Sequence, residues 1–361
     1  MITQRADIKE ESLGTVGGQL LKTGFSEQTV LYMKEMSRGE DPSFYVREVQ
    51  KRRGIDTEYT AIFKKGGRAG NLFYLGYAAE LNLEMNIRHP KNIALDSAEL
   101  ERKIENPPPP DFTNDRAKIL WMRERTDYVN EISMKLKRLM TLHPDTFNAL
   151  MVKHGPLPID FDIPPSLLTQ QAYLYNRYHP RQFFTPDLKI HTETAFHMLA
   201  HDAWIYREIS QKADEKFGAW LKVDFQRQGK SGYQDWKVMR DDYGFNVQSA
   251  YRMFAFKELM GNSLSVQEEK LKELVTKTKN GIPAELTPAN PELMGTVFVS
   301  GDPVEKTLLI YNHKMEVQQP EDYLMSTYLA KRQQQVTGQL KKPVQQKVIK
   351  NEGKRNGKTP S

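Results

Sequence analysis

The chain contains no cysteine among its 361 residues. Disulfides, thiolate zinc sites, iron–sulfur clusters and cysteine nucleophiles are therefore excluded together. Any bound metal ion would need histidine, aspartate or glutamate ligands. No window approaches the run of about 18 apolar residues that identifies a transmembrane helix, and acidic residues occupy the N-terminal stretch where a secretory leader would be apolar. We expect a protein that does not insert into a membrane and is located in the cytoplasm.

Common enzyme motifs are also missing. The sequence has no HExxH, GxSxG or GxGxxG pattern. The glycines of the segment KKGGRAGN at 64–71 could direct backbone N–H groups at a phosphate. The segment lacks the residue spacing of a nucleotide-binding P-loop, however. The favoured interpretation is a turn that connects two secondary-structure elements. No cofactor is predicted. These absences favour a non-enzymatic protein, and an enzyme remains an alternative.

The excess of positive charge lies at the C-terminal end. The chain carries 52 Lys+Arg and 46 Asp+Glu, a net charge of +6, and residues 338–361 alone hold seven basic residues against one acidic residue. Residues 1–337 are therefore neutral overall. The sequence predicts a disordered basic tail that contacts phosphate backbones, with Lys341, Lys342, Lys354 and Arg355 among the binding residues. A tail that only increases solubility is the alternative.

A second group of basic residues is interleaved with aromatic residues near the N-terminal end. Basic and aromatic side chains together can hold a nucleic-acid strand by charge and by stacking. The alternative is that Phe44, Tyr45, Tyr59 and Phe63 belong to the core and the charges form a solvated face. The predicted binding residues of this basic aromatic patch are Arg47, Lys51, Arg52, Arg53, Lys64, Lys65 and Arg68.

Helical signals dominate the remaining pattern. Ser26 is a plausible N-cap for a helix to Ser37, and further helices are expected over residues 43–53, 57–65 and 71–85. A long amphipathic helix begins after Asn114 or Asp115 and ends before His143-Pro144. Thr185-Pro186-Asp187 is a helix start, and we expect that helix to continue to about Phe217.

Strand signals are fewer. Leu221, Val223 and Phe225 alternate with polar residues, and residues 296–311 are typical of a hairpin. The predicted fold is therefore mainly α, with a minor β-hairpin element. The expected divisions are a flexible arm (1–25), a small helical domain (26–86), a Pro-rich linker (87–112), a helical body with the hairpin (113–337) and the disordered basic tail (338–361).

Three of the eight histidines lie in one predicted helix. Glu193, His197 and His201 are spaced four residues apart, so they would share one helix face. Such a face could hold a divalent metal ion, although hydrogen-bonded histidines without metal are the favoured interpretation.

Three functions follow as hypotheses. The first is a non-enzymatic protein that binds nucleic acid through the basic aromatic patch and the tail, as in DNA processing, packaging or transfer machinery. The second is a structural or assembly subunit of a virion or multiprotein complex, with protein partners or self-assembly. The third is a metal-dependent enzyme built on Glu193, His197 and His201.

Overall fold

The computed structural model describes residues 8–66, 70–91, 96–212, 215–229, 231–241, 244–260, 263–293, 295–330 and 333. A helical stretch at 325–330 is the last regular segment described. The helices and strands that precede it are, in chain order, α1 (Glu10–Thr23), α2 (Glu27–Ser37), β1 (Ser43–Arg52), β2 (Ile55–Gly66), β3 (Asn71–Leu81), α3 (Ser97–Glu105), α4 (Asp115–Leu142), α5 (Pro144–His154), α6 (Pro165–Tyr178), β4 (Arg181–Phe184), α7 (Thr192–Ala200), β5 (Ile205–Lys212), β6 (Glu215–Gln228), β7 (Gln234–Arg240), α8 (Val247–Arg252), α9 (Leu264–Lys279), β8 (Ala284–Leu286), β9 (Val297–Asp302) and β10 (Thr307–Tyr311).

The fold is a mixture of helices and antiparallel sheets, so the prediction of a mainly α protein with a minor hairpin is wrong. Helices make up 44% and strands 27% of the structure. The described strands form three sheets, with orders β1-β2-β3-β4, β5-β6-β7 and β10-β9-β8. The boundaries of the predicted domains stay predictions.

The first sheet occupies the segments in which we expected helices at 43–53, 57–65 and 71–85. Burial alternates along β1 and β2: Phe44, Val46, Tyr59 and Phe63 are buried while their chain neighbours are more exposed. This period of two is the signature of a strand with one covered face. A two-residue turn with positive φ at Arg53 (49°) and Gly54 (81°) closes the hairpin, as a right-twisted β-ribbon requires.

Two helices cover the inner face of this sheet. Ser26 caps α2 by accepting a hydrogen bond from the backbone N–H of Thr29, which confirms the predicted helix start. Within residues 1–25, the predicted arm, the chain forms α1, which buries Leu13, Val16 and Leu20. These side chains join the core formed by Phe44, Tyr59 and the other inward residues of the sheet.

A helical insert separates β3 from β4. Tyr77 of β3 lies opposite Phe184 of β4, so the chain leaves the sheet after Leu81 and returns to the same edge at Arg181. Asn114 caps α4 and the helix ends at Leu142, as predicted from the sequence. The insert has a core of its own, formed by Leu100, Ile104, Ile132, Leu136, Leu139, Phe147 and Leu150.

An ion cluster ties the helices of the insert together. The buried carboxylate of Glu101 in α3 lies 2.8 Å from Lys153 Nζ, 2.9 Å from His154 Nε2 and 2.7 Å from His89 Nε2. Burial alone would raise the pKa of Glu101, but hydrogen bonds from Lys153, His154 and His89 outweigh burial and lower it. Glu101 therefore remains ionised and holds α5 against α3.

The predicted helix from Thr185 to about Phe217 is wrong outside α7, which begins only at Thr192. Helix α7 ends at Ala200, and the chain then forms β5 and β6. Residues Leu221, Val223 and Phe225 alternate as predicted and pack on the first core, while Trp220 on the opposite face of β6 packs in a second core. The predicted hairpin is confirmed as β9–β10, which β8 extends to a three-stranded sheet.

Helix α7 is almost entirely buried, and two tyrosines of the first sheet form hydrogen bonds with the backbone at its N-terminal end. Tyr59 OH donates to the carbonyl oxygen of Thr192 (2.8 Å) and Tyr77 OH donates to that of Ile190 (3.0 Å). Nearly every residue of α7 is buried. Among the described residues, no helix has both the length and the apolar character needed to cross a membrane.

We predict that Glu101→Ala lowers the free energy of unfolding of the insert by about 2–3 kcal/mol, because it leaves three basic side chains without their shared partner. This value lies below the roughly 3–5 kcal/mol typical of breaking a buried ion pair, since the Lys153 side chain is 34% exposed. Urea denaturation followed by circular dichroism measures the loss. Glu99→Ala, on the same helix but in an exposed pair with Arg102, is the matched control and should cost much less. Equal losses in the two variants would contradict a stabilising role for the Glu101 cluster.

Candidate nucleic-acid interface

The outer face of the first sheet is exposed, in contrast to its helix-covered inner face. Tyr45 and Val49 of β1 are 56% and 63% exposed, and Phe73 of β3 is 50% exposed. By strand alternation these side chains point away from the core that holds Phe44 and Val46. Large apolar side chains on one open sheet face are unusual for a surface that meets only water.

Aromatic and basic side chains lie beside one another on this outer face. The Arg47 guanidinium lies 5.3 Å from the centre of the Tyr45 ring. Lys64 of β2 lies opposite Phe73 of β3 in the strand register. On β4, Arg181 lies 5.0 Å from the ring of Tyr233, and the Phe183 and Tyr233 rings are 5.8 Å apart.

Gly76 makes room for the aromatic ring of β4. It has a φ of +126°, and a Cβ at this position would lie 2.4 Å from the carbonyl oxygen of Phe184 and 2.9 Å from the Phe183 ring. A side chain would therefore displace β4 or its ring. Glycine at this position keeps Phe183 close against the sheet.

The structure brings together only part of the predicted basic aromatic patch. Arg47, Lys51 and Lys64 lie on the outer face, whereas Lys65 points to the opposite side, where it donates to the carbonyl of Gly39 and lies 5.6 Å from the Phe44 ring. Arg52 and Arg53 lie at the tip of the β1–β2 hairpin and are directed towards α7 and β9. Arg68, Lys341, Lys342, Lys354 and Arg355 lie outside the described residues.

Of the aromatic residues in the patch, only Tyr45 reaches the outer face. Phe44, Tyr59 and Phe63 are core residues, which is the alternative interpretation of the pattern. The outer face also carries Phe73, Phe183, Arg181 and Tyr233, which were not among the binding residues predicted from the sequence. The pairing of β3 with β4 brings distant segments together here, and no local pattern in the sequence indicates that pairing.

Acidic residues at one end of the outer face pair with its cations. Arg47 Nε lies 3.4 Å from Glu58 Oε1, Lys51 Nζ lies 3.9 Å from Asp56 Oδ1, and Arg181 Nε lies 2.6 Å from Glu80 Oε1. These pairs are all substantially exposed, so each contributes little and a competing phosphate can replace the carboxylate. Lys64 makes no ion pair within the part of the chain that the structure describes.

A cleft of about 590 Å³ adjoins the acidic end of this face. Its walls include Glu58 and Glu80 from the sheet, and Tyr175 and His179 from the end of α6, whose rings are 4.8 Å apart. The carboxylates make this end unfavourable for phosphate. The part of the outer face suited to a nucleic-acid backbone is therefore the opposite end, near Tyr45, Lys64 and Phe73.

His197 and His201 are close together, but with Glu193 they do not gather into the metal face that was the less favoured interpretation of their spacing. The rings of His197 and His201 have centroids 5.4 Å apart, and His201 is the residue that ends the helix. Among the described residues, the group of three potential ligand atoms lying within 4.8 Å of one another is Glu101, Glu105 and His154. Glu193, His197 and His201 do not meet this geometry. In the Glu101 cluster, Lys153 already contacts the same carboxylate oxygen as His154.

Both histidines of α7 are held in the neutral state. Burial, His201 and the charges of Arg53 and Arg52 lower the pKa of His197 to about 3. Burial, together with Arg53 and Arg177, lowers the pKa of His201 to about 4. Buried neutral imidazoles in a positive environment are suited to donate or accept single hydrogen bonds, and they are found more often at functional sites than on ordinary surfaces.

Comparison with known proteins gives no independent indication of function. No protein-family model, no curated protein and no solved structure matches the chain.

We predict that the two histidines of α7 make stability depend on pH. Folding depresses the pKa values of both histidines, so below the ordinary histidine pKa of about 6.5 the unfolded chain binds more protons than the folded protein. The free energy of unfolding therefore falls as the pH falls from about 6.5 towards about 4. The slope due to the pair reaches up to about 2.7 kcal/mol per pH unit. Urea denaturation between pH 7 and roughly pH 5 measures it.

The double variant His197→Gln, His201→Gln should lose this contribution to the slope. His313→Gln, which removes an exposed histidine, should retain it. An unchanged slope in the double variant would show that other groups cause the pH dependence.

Proposed function

We propose that the protein is a non-enzymatic binding protein for single-stranded nucleic acid, which it contacts through the outer face of the first sheet. The observation that carries this proposal is the exposure of Tyr45 and Phe73, each at least half exposed, beside Arg47 and Lys64 on a sheet whose other face is covered by helices. Aromatic rings on an open antiparallel sheet are one of the common ways in which proteins stack bases of an unpaired strand.

A single strand fits this surface better than a duplex. A base can stack on an exposed aromatic ring only when it is free of its own neighbours, and a duplex keeps its bases stacked internally. The outer face presents rings and cations on three adjacent strands rather than on a helix that could enter a major groove. Residues 43–66 form two strands and their connecting turn, so they do not supply a helix-turn-helix unit for duplex recognition.

The two sources of positive charge have separate roles in this proposal. The folded body supplies few unpaired cations on the outer face, so stacking accounts for most of its share of the affinity. The basic tail, residues 338–361, adds a sequence-independent attraction that salt weakens. A role in DNA processing, packaging or transfer machinery is consistent with this combination.

We predict that Tyr45→Ala and Phe73→Ala each weaken binding of a fluorescein-labelled single strand by about 5- to 150-fold, since removing one base stack costs roughly 1–3 kcal/mol. Fluorescence anisotropy with single-stranded DNA and with RNA measures the dissociation constants. Arg47→Gln with Lys64→Gln should weaken binding and also reduce its salt dependence.

The matched control is Tyr32→Ala, because Tyr32 is an exposed tyrosine on α2 at the other side of the sheet. Its affinity should equal that of the wild type. Deleting residues 338–361 should reduce the slope of log affinity against log salt by roughly 0.7 for each phosphate that the tail neutralises, while leaving the effect of Phe73→Ala unchanged. Wild-type affinity in both Tyr45→Ala and Phe73→Ala would overturn the proposal.

Helix α4 favours the assembly subunit as a second candidate function. Its buried residues begin only at Ile132, and Tyr128 is the first residue that packs on the core of the insert, so about the first three turns project from that core. Ile119, Leu120 and Met122 on these turns are all more than half exposed. A projecting helix with exposed apolar side chains is typical of a surface that packs on another protein.

If α4 mediates assembly, Ile119→Glu together with Met122→Glu should reduce the average mass of the protein at high concentration. Sedimentation velocity over a range of concentrations measures it. Leu264→Glu places the same charge on another exposed apolar residue and should leave the mass unchanged. A wild-type protein that stays monomeric at all concentrations would exclude self-assembly through α4.

A further inference from the structure

Two carboxylates and an imidazole converge in the insert, where α3 packs on the end of α5. Glu101 and Glu105 are four residues apart on α3, so they share one helix face, and His154 is the last residue of α5. One potential ligand atom from each of the three residues lies within 4.8 Å of the other two. We refer to these residues as the α3–α5 group. The group belongs to the insert and does not depend on the function proposed above.

The spacing of these atoms suits the ligands of a single metal ion. His154 Nε2 lies 2.9 Å from Glu101 Oε1 and 4.0 Å from Glu105 Oε1. Nitrogen and oxygen ligands that bind one ion at about 2.0–2.2 Å lie roughly 3–4 Å from one another. Small adjustments of the side chains would therefore bring all three atoms onto one ion.

The Lys153 ammonium marks a position between the two carboxylates that suits a cation. Its Nζ lies 2.8 Å from Glu101 Oε1 and 4.0 Å from Glu105 Oε1. Hydrogen bonding to Glu101 raises the pKa of Lys153. The charges of Glu101, Glu105 and Glu84 raise that pKa further. One ammonium therefore faces three carboxylates, and negative charge is left over to attract a second cation or a divalent one.

The ligand atoms are held in place, whereas the ammonium can move away. The side chains of Glu101 and His154 are largely buried, and Ile104 of α3 and Leu150 of α5 pack in the same core. Lys153 is partly exposed and carries its charge on a flexible four-carbon stem. A metal ion can therefore replace the ammonium, which turns towards water, without moving either helix.

Further hydrogen bonds orient the Glu101 carboxylate. His89 Nε2 lies 2.7 Å from Glu101 Oε2, the oxygen that does not contact His154. His89 Nδ1 in turn lies 3.1 Å from the hydroxyl oxygen of Ser97, which is buried at the start of α3. Such outer contacts fix the orientation of metal ligands in proteins. Here they hold Oε2 and leave Oε1 directed at the α3–α5 group.

We propose that the α3–α5 group binds a divalent transition-metal ion through Glu101 Oε1, a carboxylate oxygen of Glu105 and His154 Nε2. One imidazole nitrogen and two carboxylate oxygens are donors that Zn²⁺ accepts, with water as a fourth ligand. The imidazole makes the set less suited to Mg²⁺ or Ca²⁺, which take oxygen ligands. His154 would carry its proton on Nδ1 when Nε2 binds the ion. The ion would join α3 to α5 in place of the Lys153 ammonium.

The experiment uses the full chain, freed of metal with EDTA, exchanged into buffer and titrated with ZnCl₂ in a calorimeter. We expect saturable binding of one equivalent and a higher Tm in circular dichroism. Even the outer partners of a metal site are worth about 10–100-fold in affinity, so Glu105→Gln and His154→Gln should each raise the dissociation constant by roughly tenfold or more. Glu99→Gln, on the same helix in an exposed pair with Arg102, and His313→Gln are the matched controls and should leave it unchanged.

Lys153→Gln distinguishes a metal site from a cluster that is only ionic. Because it removes the competing ammonium, it should lower the dissociation constant for Zn²⁺ while lowering the Tm of the metal-free protein. MgCl₂ at the same concentration should leave the Tm unchanged. The proposal is overturned by wild-type affinity for Zn²⁺ in folded Glu105→Gln and His154→Gln, or by the absence of saturable binding in both the wild type and Lys153→Gln. No strand is present in these titrations, so their result is independent of the outer face.

Discussion

Two buried hydrogen bonds from tyrosines organise the centre of this molecule. Tyr59 and Tyr77, from neighbouring strands, donate to the backbone that leads into α7. Burial raises the pKa values of both hydroxyls, that of Tyr59 to about 12, so both remain protonated donors. They fix the N-terminal end of α7 against the inner face of the first sheet. At the same end of α7, Arg52 of the β1–β2 hairpin contacts Thr192.

Strand alternation divides the basic residues of the β1–β2 hairpin between the two sides of the sheet. Arg47 and Lys51 point outward beside Tyr45, whereas Arg52 contacts Thr192 on the inner side. Consecutive basic residues that resemble one patch in the sequence therefore belong to two environments with different chemistry. The outer environment is wet, and its ion pairs are exchangeable. The inner one is buried, and there an unpartnered Nε–H or imidazole nitrogen carries a substantial cost.

The sequence predicted those elements whose local pattern decides their structure. The Asn114 cap and the spacing of Ile132, Leu136 and Leu139 were sufficient for α4. The two strands of β9–β10 were also predicted, but their turn lies at 303–306, because residues 300–302 belong to β9. Strand β3 could not be predicted in this way. Nearly every residue from Leu72 to Ala79 is apolar, and a bulge beside Ile62 shifts the register, so no period of two is visible. Pairing with β2 along its length, and with β4 after an insert with its own core, decides this strand.

Of the candidate site, Tyr45, Arg47 and Lys64 could be selected from the sequence. Phe73 lies opposite Lys64 through the pairing of β2 with β3, and Phe183 and Tyr233 join the face only through β4.

In the proposed function, the location of the net charge sets how the folded body and residues 338–361 would share the binding of a nucleic acid. A neutral body cannot attract a polyanion over a long range, since its positive and negative charges cancel beyond about a Debye length of roughly 10 Å. Its contribution would come from contact, by stacking on Tyr45 and Phe73 and by local exchange of carboxylate for phosphate at Arg47. The tail, with its excess of lysine, can attract a strand without choosing among sequences. Selectivity, where it exists, therefore has to arise on the sheet face, because only there do fixed rings and fixed charges lie at defined distances from one another.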